Sequence, residues 1–260
     1  MCLCILDFET TGLNTTADDI IEIAIKIYSR KEIYHTLVIP KKPLPKKISE
    51  LTQITNSMIC KDAIHPTQMF REMYQFLLQH KVTHILAHNG EQFDFIFLKL
   101  LFFKHNVSYS RFQWIDSIYL FRKIHSLQKL TMPSYSQKNL CQFYQIHQEQ
   151  AHRAIGDVQD LETLFDAIVT NYSIYQNVYI NFNLNKLTEL SRGKQYSDIL
   201  LGYIIQISKF LASTDTVLVI PNITSFNRRN IYLWLEQNYI HLSKDSTEDK
   251  LVLQKIQVCL

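Results

Sequence analysis

The stretch Leu3-Cys4-Ile5-Leu6-Asp7-Phe8-Glu9-Thr10-Thr11-Gly12 decides how this chain is read. Residues 3–8 form a short apolar run of β character, and the run ends among acids. Side chains on a strand alternate between faces, so Asp7 and Glu9 point one way and Phe8 the other. Two carboxylates on one face repel each other unless a cation lies between them. By itself the pair is open between a solvated strand end and a metal site. The apolar residues Leu3, Ile5 and Leu6 beside it point to burial.

Working outward, residues 20–28 alternate strictly, with Ile21, Ile23, Ile25 and Ile27 on one face and Glu22, Ala24 and Lys26 on the other. That is the period of a strand. Residues 33–39 read as a third strand that stops at Pro40. Residues 41–47 read as a proline-stiffened loop carrying four lysines. Met69, Met73, Phe76 and Leu77 recur at helical spacing within 66–80. Residues 83–87 form a strand ending at His88-Asn89-Gly90, and 93–103 a very apolar helix. A short strand at 113–116 and a short helix at 139–144 follow. The segment 154–168 is a helix with Ile155, Val158, Leu161, Leu164, Phe165 and Ile168 on its apolar face. Strands alternating with helices make residues 1–172 an α/β domain. Residues 173–196 read as a connecting segment, and 197–260 as a second, small α/β domain.

Composition narrows the classes. A chain of 260 residues with 47% hydrophobic and 20% charged residues builds a true core and is not disordered. No apolar run reaches the ~18–20 residues of a membrane span, and no secretory signal precedes Asp7. A net charge of +3 permits nucleic acid without arguing for it. The five cysteines are scattered and show no C-x-x-C spacing, so neither a zinc site nor a disulfide framework is expected. A cytoplasmic or other reducing intracellular compartment is the expected location.

Two further acids matter. Asp94 opens the most apolar helix, and Asp157 stands in the first turn of another, five residues after His152. Each alone fits an acid that favours a helix dipole. Together with Asp7 and Glu9, four carboxylates converging from two strand positions and two helix starts would bind two divalent ions as hard oxygen ligands. Such a pair, about 4 Å apart, activates a water and stabilises a leaving oxygen. A neutral histidine beside it takes the water's proton.

These residues carry a family resemblance. Asp7-Phe8-Glu9-Thr10-Thr11-Gly12-Leu13 resembles the first motif of DEDD 3′→5′ exonucleases. Ala87-His88-Asn89-Gly90-Glu91-Gln92-Phe93-Asp94 resembles the second, especially as it stands in TREX-type and bacterial polymerase III proofreading (DnaQ-like) members. His152-Arg153-Ala154-Ile155-Gly156-Asp157 resembles the third in its DEDDh form. The tyrosine subclass places Tyr four residues before the last Asp, where this chain has Arg153. Residues 48–54 are similar to the family's I-x-x-L-T-G-I segment, with Gln53 in place of the usual Gly, and 140–146 to the short helix before the third motif. The resemblance spans nearly all of residues 3–170.

The resemblance implies a ribonuclease H-like mixed central sheet flanked by helices. It implies that Asp7, Glu9, Asp94 and Asp157 hold two Mg²⁺ ions, with Mn²⁺ as a substitute, and that His152 deprotonates the attacking water. Nucleoside 5′-monophosphates would leave from a 3′ end. Thr10 and Leu13 would meet the terminal nucleotide, and His88, Asn89 and Phe93 would line the cleft. His88 and Asn89 read equally well as loop caps, and Phe93 as core. The remaining histidines before residue 150 carry no role. Asp116 reads as the cap of the next helix, and the lysine loop as a solvated turn or a phosphate contact.

Residues 197–257 resemble an R-three-H domain, which binds single-stranded nucleic acid. Phe210-Leu211-Ala212-Ser213, Val217-Leu218-Val219-Ile220-Pro221 and Ser225-Phe226-Asn227-Arg228-Arg229-Asn230-Ile231-Tyr232 carry the match. Arg228 fits the pattern, whereas Tyr232 stands where the family has His; a tyrosine still stacks on a base. The module has six basic and six acidic residues, a neutral footprint, so a packing appendage is the alternative.

The expected function is a metal-dependent 3′→5′ exonuclease on single-stranded or frayed 3′ ends, with DNA favoured. Single-stranded nucleic acid and a polymerase or replication partner are the expected partners, and no membrane is. One alternative is an exoribonuclease, because poly(A)-specific ribonucleases pair a DEDD nuclease with an R-three-H domain. The other is a catalytically silent binding module. Such relatives usually lose a carboxylate or the His, and all five stand here.

Overall fold

Strand β1 (Leu3–Thr10) lies at the centre of a mixed five-stranded sheet. The computed structural model describes residues 2–148, 152–175, 184–193, 197–198, 201–202, 205 and 231. β2 (Ile20–Ile27) and β3 (Ile33–Leu37) extend the sheet on one side as an antiparallel meander. β4 (His84–Ala87) and β5 (Gln113–Asp116) extend it on the other, both parallel to β1. The order is β3-β2-β1-β4-β5. Parallel neighbours need crossover connections, and helices supply them. The expected ribonuclease H-like arrangement of sheet and flanking helices is what forms.

Alternation along β1 divides the core. Cys4, Leu6 and Phe8 face α3 (Pro66–Gln79) and α4 (Asp94–Lys104), where Met73, Leu77, Phe95 and Phe102 are buried. Leu3 and Ile5 face α5 (Ser117–Leu127), α6 (Gln137–Phe143) and α7 (Ala154–Tyr175). On α7, Ala154, Val158, Leu161, Leu164, Phe165 and Ile168 are all buried. Each large side chain of that stripe contributes roughly 1.5–3 kcal/mol on burial. Together they can hold an inward acid against neighbours of its own sign.

Two short helices were not foreseen from the sequence: α1 (Lys46–Thr52) and α2 (Asn56–Asp62). Seven residues make two turns, too few to display a period. They close a small cluster of Ile21, Leu37, Leu44, Ile54 and Ile59. Gln53 caps α1 at φ 59°, in the left-handed region where glycine is at home. The glycine usual at this place in the resembling segment thus has a conformational reason. Gln53→Gly is expected to stabilise the chain by about 0.5–1 kcal/mol and to raise the thermal midpoint by roughly 1–4 °C. Gln53 Nε2 also donates to the Glu50 carbonyl at 2.6 Å. A lowered midpoint would show that this bond outweighs the backbone strain.

Residues 184–190, inside the stretch read as a connection, form α8 (Leu184–Leu190), and its Leu184 and Leu187 are buried with Ile115 and Phe165. Just beyond it, Ser197 and Asp198 take the buried ammonium of Lys99 at 2.7 and 2.8 Å. The Lys99 Nζ also lies 4.6 Å from the centre of the Trp114 ring. Ser197 Oγ donates to Glu91 Oε2 at 2.7 Å, beside the turn that leads to Asp94. The R-three-H-like pattern, with Arg228 and Tyr232, lies outside the described residues.

Candidate active site

Asp7 and Glu9 continue the β1 face that Leu3 and Ile5 begin, the face covered by α7. Asp157 follows the buried Ala154 by three residues on α7, so it joins the inward stripe. One oxygen each from Asp7, Glu9 and Asp157 lies within 4.8 Å of the others. Asp94 reaches the same strand from α4. Its Oδ1 accepts the Phe8 N–H at 3.2 Å, between Asp7 and Glu9 in sequence. It stands beside the trio of converging oxygens and outside it.

Burial and mutual repulsion make these acids reluctant to ionise. Burial, then Asp94, Asp157 and Glu9, raise the Asp7 carboxyl well above its ordinary range. Burial and the neighbouring acids push Glu9 to about 8. Burial pushes Asp94 to about 8, with Asp116 and Asp157 adding to it. Burial and Asp160 push Asp157 to about 7. A set of buried, crowded hard oxygen donors suits a divalent cation, which would relieve the repulsion that burial imposes.

The third motif is held at two points. The His152 N–H donates to Asp157 Oδ2 at 3.1 Å, and His152 sits at φ 63°, with its side chain exposed at the entrance to α7. Gln137, in the first turn of α6, donates from Nε2 to the Asp157 carbonyl at 3.0 Å and to Oδ1 at 3.3 Å. Nothing in the sequence singled out Gln137. Nor did the sequence single out Glu22, which is fully buried and lies directly across the sheet from Glu9. Strand parity placed it correctly opposite the isoleucine face. What covers that face became apparent only in the fold.

The first-motif loop is tied by Asp18. Its Oδ1 accepts from Thr11 Oγ1 at 2.9 Å and its Oδ2 from the Asn14 N–H at 2.8 Å. A Cβ at Gly12 would lie 2.5 Å from Asp18 Oδ2, so a larger residue there would displace the Asp18 carboxylate that ties the loop. Thr10 Oγ1 donates to the Gly12 carbonyl at 2.6 Å. The loop presents Leu13, a bare apolar side chain that is 88% exposed.

The second motif follows β4, the parallel neighbour of β1. His88 Nδ1 pairs with Ser117 Oγ at 2.7 Å, and burial pushes the imidazole down to about 4, so it is neutral. Asn89 turns the chain at φ 56°. Phe93 is half-buried, its ring centroid 5.2 Å from that of Phe97. His88 and Asn89 border a cavity of about 380 Å³ with Arg122, Tyr135, Ser136 and Gln137. Asp116 caps α5 as the sequence suggested, accepting from Ile118 N at 2.8 Å. It also accepts from Glu91 N at 2.9 Å, and burial raises its carboxyl to about 6.

Sequence comparison places this fold and this acid-lined face within a known family. The exonuclease family RNase_T matches residues 4–165, and the chain belongs to that family. The PolC-type DNA polymerase III of Mycoplasma genitalium is 31% identical over 194 residues, covering 73% of this chain and 12% of that protein. The 3′-5′ exonuclease DinG of Staphylococcus haemolyticus is 28% identical over 195 residues, covering 74% of this chain and 20% of that protein. The chain thus spans a fifth or less of the length of these relatives. Among solved structures, the nuclease domain of 3′hExo, a DEDDh family member bound to rAMP, superposes with a TM-score of 0.55 at 14% identity, over 65% of this chain and 92% of that one. Escherichia coli Exonuclease I in complex with a dT13 oligonucleotide superposes at 0.57 with 16% identity, over 72% of this chain and 45% of that one. They share the DnaQ-like, ribonuclease H-like fold. Among the described residues no helix is long and apolar enough to cross a membrane.

Proposed function

We propose that the chain is a metal-dependent 3′→5′ exonuclease that releases nucleoside 5′-monophosphates from single-stranded or frayed 3′ ends, with DNA as its preferred substrate. The observation that carries this reading is the convergence of Asp7, Glu9 and Asp157 within 4.8 Å, with Asp94 against the same strand. These four would hold two Mg²⁺ ions, with Mn²⁺ as substitute, which when bound supply Lewis-acid activation and neutralise charge at the scissile phosphate. His152, exposed at the rim, takes the proton of the attacking water. Leu13 lies against the terminal base, and the Thr10 backbone meets the 3′-hydroxyl. Neutral His88, Asn89 and Phe93 line the strand's path. Within the segment 197–260, the part beyond Asp198 acts as a single-strand-binding module through Arg228 and Tyr232.

The preference for DNA rests on kinship with a DNA polymerase and with DinG, and a polymerase is the partner this kinship suggests. The unpaired Cys2, Cys4, Cys60 and Cys141 suit a reducing, cytoplasmic setting. The R-three-H resemblance favours a second reading, trimming of RNA 3′ ends. Matched 5′-labelled DNA and RNA single strands decide between them. With Mg²⁺, a ladder shrinking from the 3′ end is expected, faster on DNA and abolished by chelator. A ladder on RNA alone transfers the assignment to an exoribonuclease. No ladder on either, with Mg²⁺ or Mn²⁺, leaves a binding module and overturns the enzyme.

A further inference from the structure

Glu22 is the odd member of the acidic face. It sits on β2 directly opposite Glu9, on the side that α7 covers, and is fully buried. Each of its oxygens is committed. Oε1 accepts from Arg153 Nη2 at 2.7 Å, His35 Nε2 at 2.8 Å and Arg153 Nε at 3.1 Å. Oε2 accepts from the Ala154 N–H at 2.9 Å and Arg153 Nε at 3.2 Å. Burial alone would raise its carboxyl, but His35, Arg153 and the Ala154 N–H bring it down to about 2. It is therefore ionised where Asp7, Glu9, Asp94 and Asp157 resist ionisation. A carboxylate so occupied has no oxygen to spare for a cation.

What Glu22 grips is the start of the third motif. Ala154 is the first residue of α7, Arg153 precedes it, and His152 precedes that. His152 holds a left-handed backbone, which a residue with a Cβ adopts only when its surroundings impose it. The turn is pinned on one side by Asp157 Oδ2 at the His152 N–H and on the other by Glu22 at residues 153–154. Residues 131 and 132 positions apart in sequence are thereby locked together. Through β2, the grip fixes Asp157 and His152 relative to Glu9 on the neighbouring strand.

We propose that Glu22, acting through the Arg153 fork and the Ala154 N–H, is a positioning residue for the hydrolysis, setting His152 and Asp157 against the Asp7–Glu9 strand without touching substrate or metal. The proposal rests on the exonuclease reading above. A displacement of about 1 Å at reacting groups costs on the order of 10²-fold in rate. A guanidinium fork also makes two bonds in a plane that a lysine cannot reproduce.

The test uses the full chain on a 5′-labelled DNA single strand, well below its unfolding temperature. Glu22→Gln and Arg153→Lys are each expected to lower kcat by roughly 10–100-fold, to change KM by less than about threefold, and to raise the Mg²⁺ concentration for half-maximal rate. The Glu22→Gln/Arg153→Lys double variant is expected to lose no more than the worse single one, because both break one contact. A purely stabilising ion pair would lower the thermal midpoint and leave kcat and the Mg²⁺ requirement at parental values, and that result overturns the proposal. If Glu22→Gln does not fold, Arg153→Lys, altered at the half-buried end of the pair, decides alone. A parental chain inert on both DNA and RNA removes the exonuclease reading and this proposal with it. An active parent with an unaffected Arg153→Lys removes this proposal only.

Discussion

Asp7→Asn is expected to reduce turnover with Mg²⁺ by at least about 10³-fold, because it removes a carboxylate from a site whose charge stabilisation amounts to several kcal/mol. The same substitution is expected to raise the unfolding temperature of the chelator-treated protein near pH 8. Carboxyls in the unfolded chain titrate near 4, whereas Asp157 is raised to about 7 and Glu9 and Asp94 to about 8 in the fold. The folded chain therefore holds more protons than the unfolded one between these limits. By linkage, the acids' contribution to metal-free stability is intact below about pH 4 and is lost as pH rises through about 7 to 8. Removing the Asp7 charge relieves its neighbours, so the variant loses less over that interval. Bound Mg²⁺ should flatten the parental curve. Thermal unfolding from about pH 4 to 9, with chelator and with Mg²⁺, measures all of this. Parental stability that rises with pH in chelator would contradict the crowding of these acids.

His152→Asn should lower kcat by about 10²–10⁴-fold, the range a positioned proton acceptor contributes. Asparagine is the informative replacement because it tolerates the left-handed backbone found at His152. The side chain is exposed, so the thermal midpoint should stay at the parental value. A variant that loses only a few-fold in rate would take the general-base role away from His152. His152→Ala, which adds backbone strain to the chemical loss, should unfold at a lower temperature than His152→Asn.

Much of this site could be read before the fold was known. Period-two alternation in residues 3–9 put Asp7 and Glu9 on one face, and the fold keeps them there. The apolar stripe of 154–168 located α7 and placed Asp157 in its first turn. What escaped the sequence depends on partners far away along the chain. Glu22 alternates with Ala24 and Lys26, so its face looked like an ordinary polar one until α7 covered it. Lys99 sits in the most apolar helix, and its counter-charge is 99 residues distant. Gln137 meets Asp157 across two helices, with no pattern to announce it. The short helices α1 and α2 were lost for a local reason, since two turns show no period. Asp94 was expected as an equal of the other three acids. The fold sets it against the strand backbone, beside the converging trio.

Homology and folding divide this chain at different places. The family match stops at residue 165, part-way along α7. The interior continues past that point, since Leu184 and Leu187 complete the apolar layer around Phe165, and Asp198 neutralises the ammonium sealed inside α4. A fragment trimmed to the edge of similarity would bare an oily seam and strand a cation without its counter-ion, a loss of about 3–5 kcal/mol from the second cause alone. Set against a typical total of about 5–15 kcal/mol, that is a large share. The smallest part of this molecule that could be lifted out and still fold with its interior closed therefore ends at or beyond residue 198.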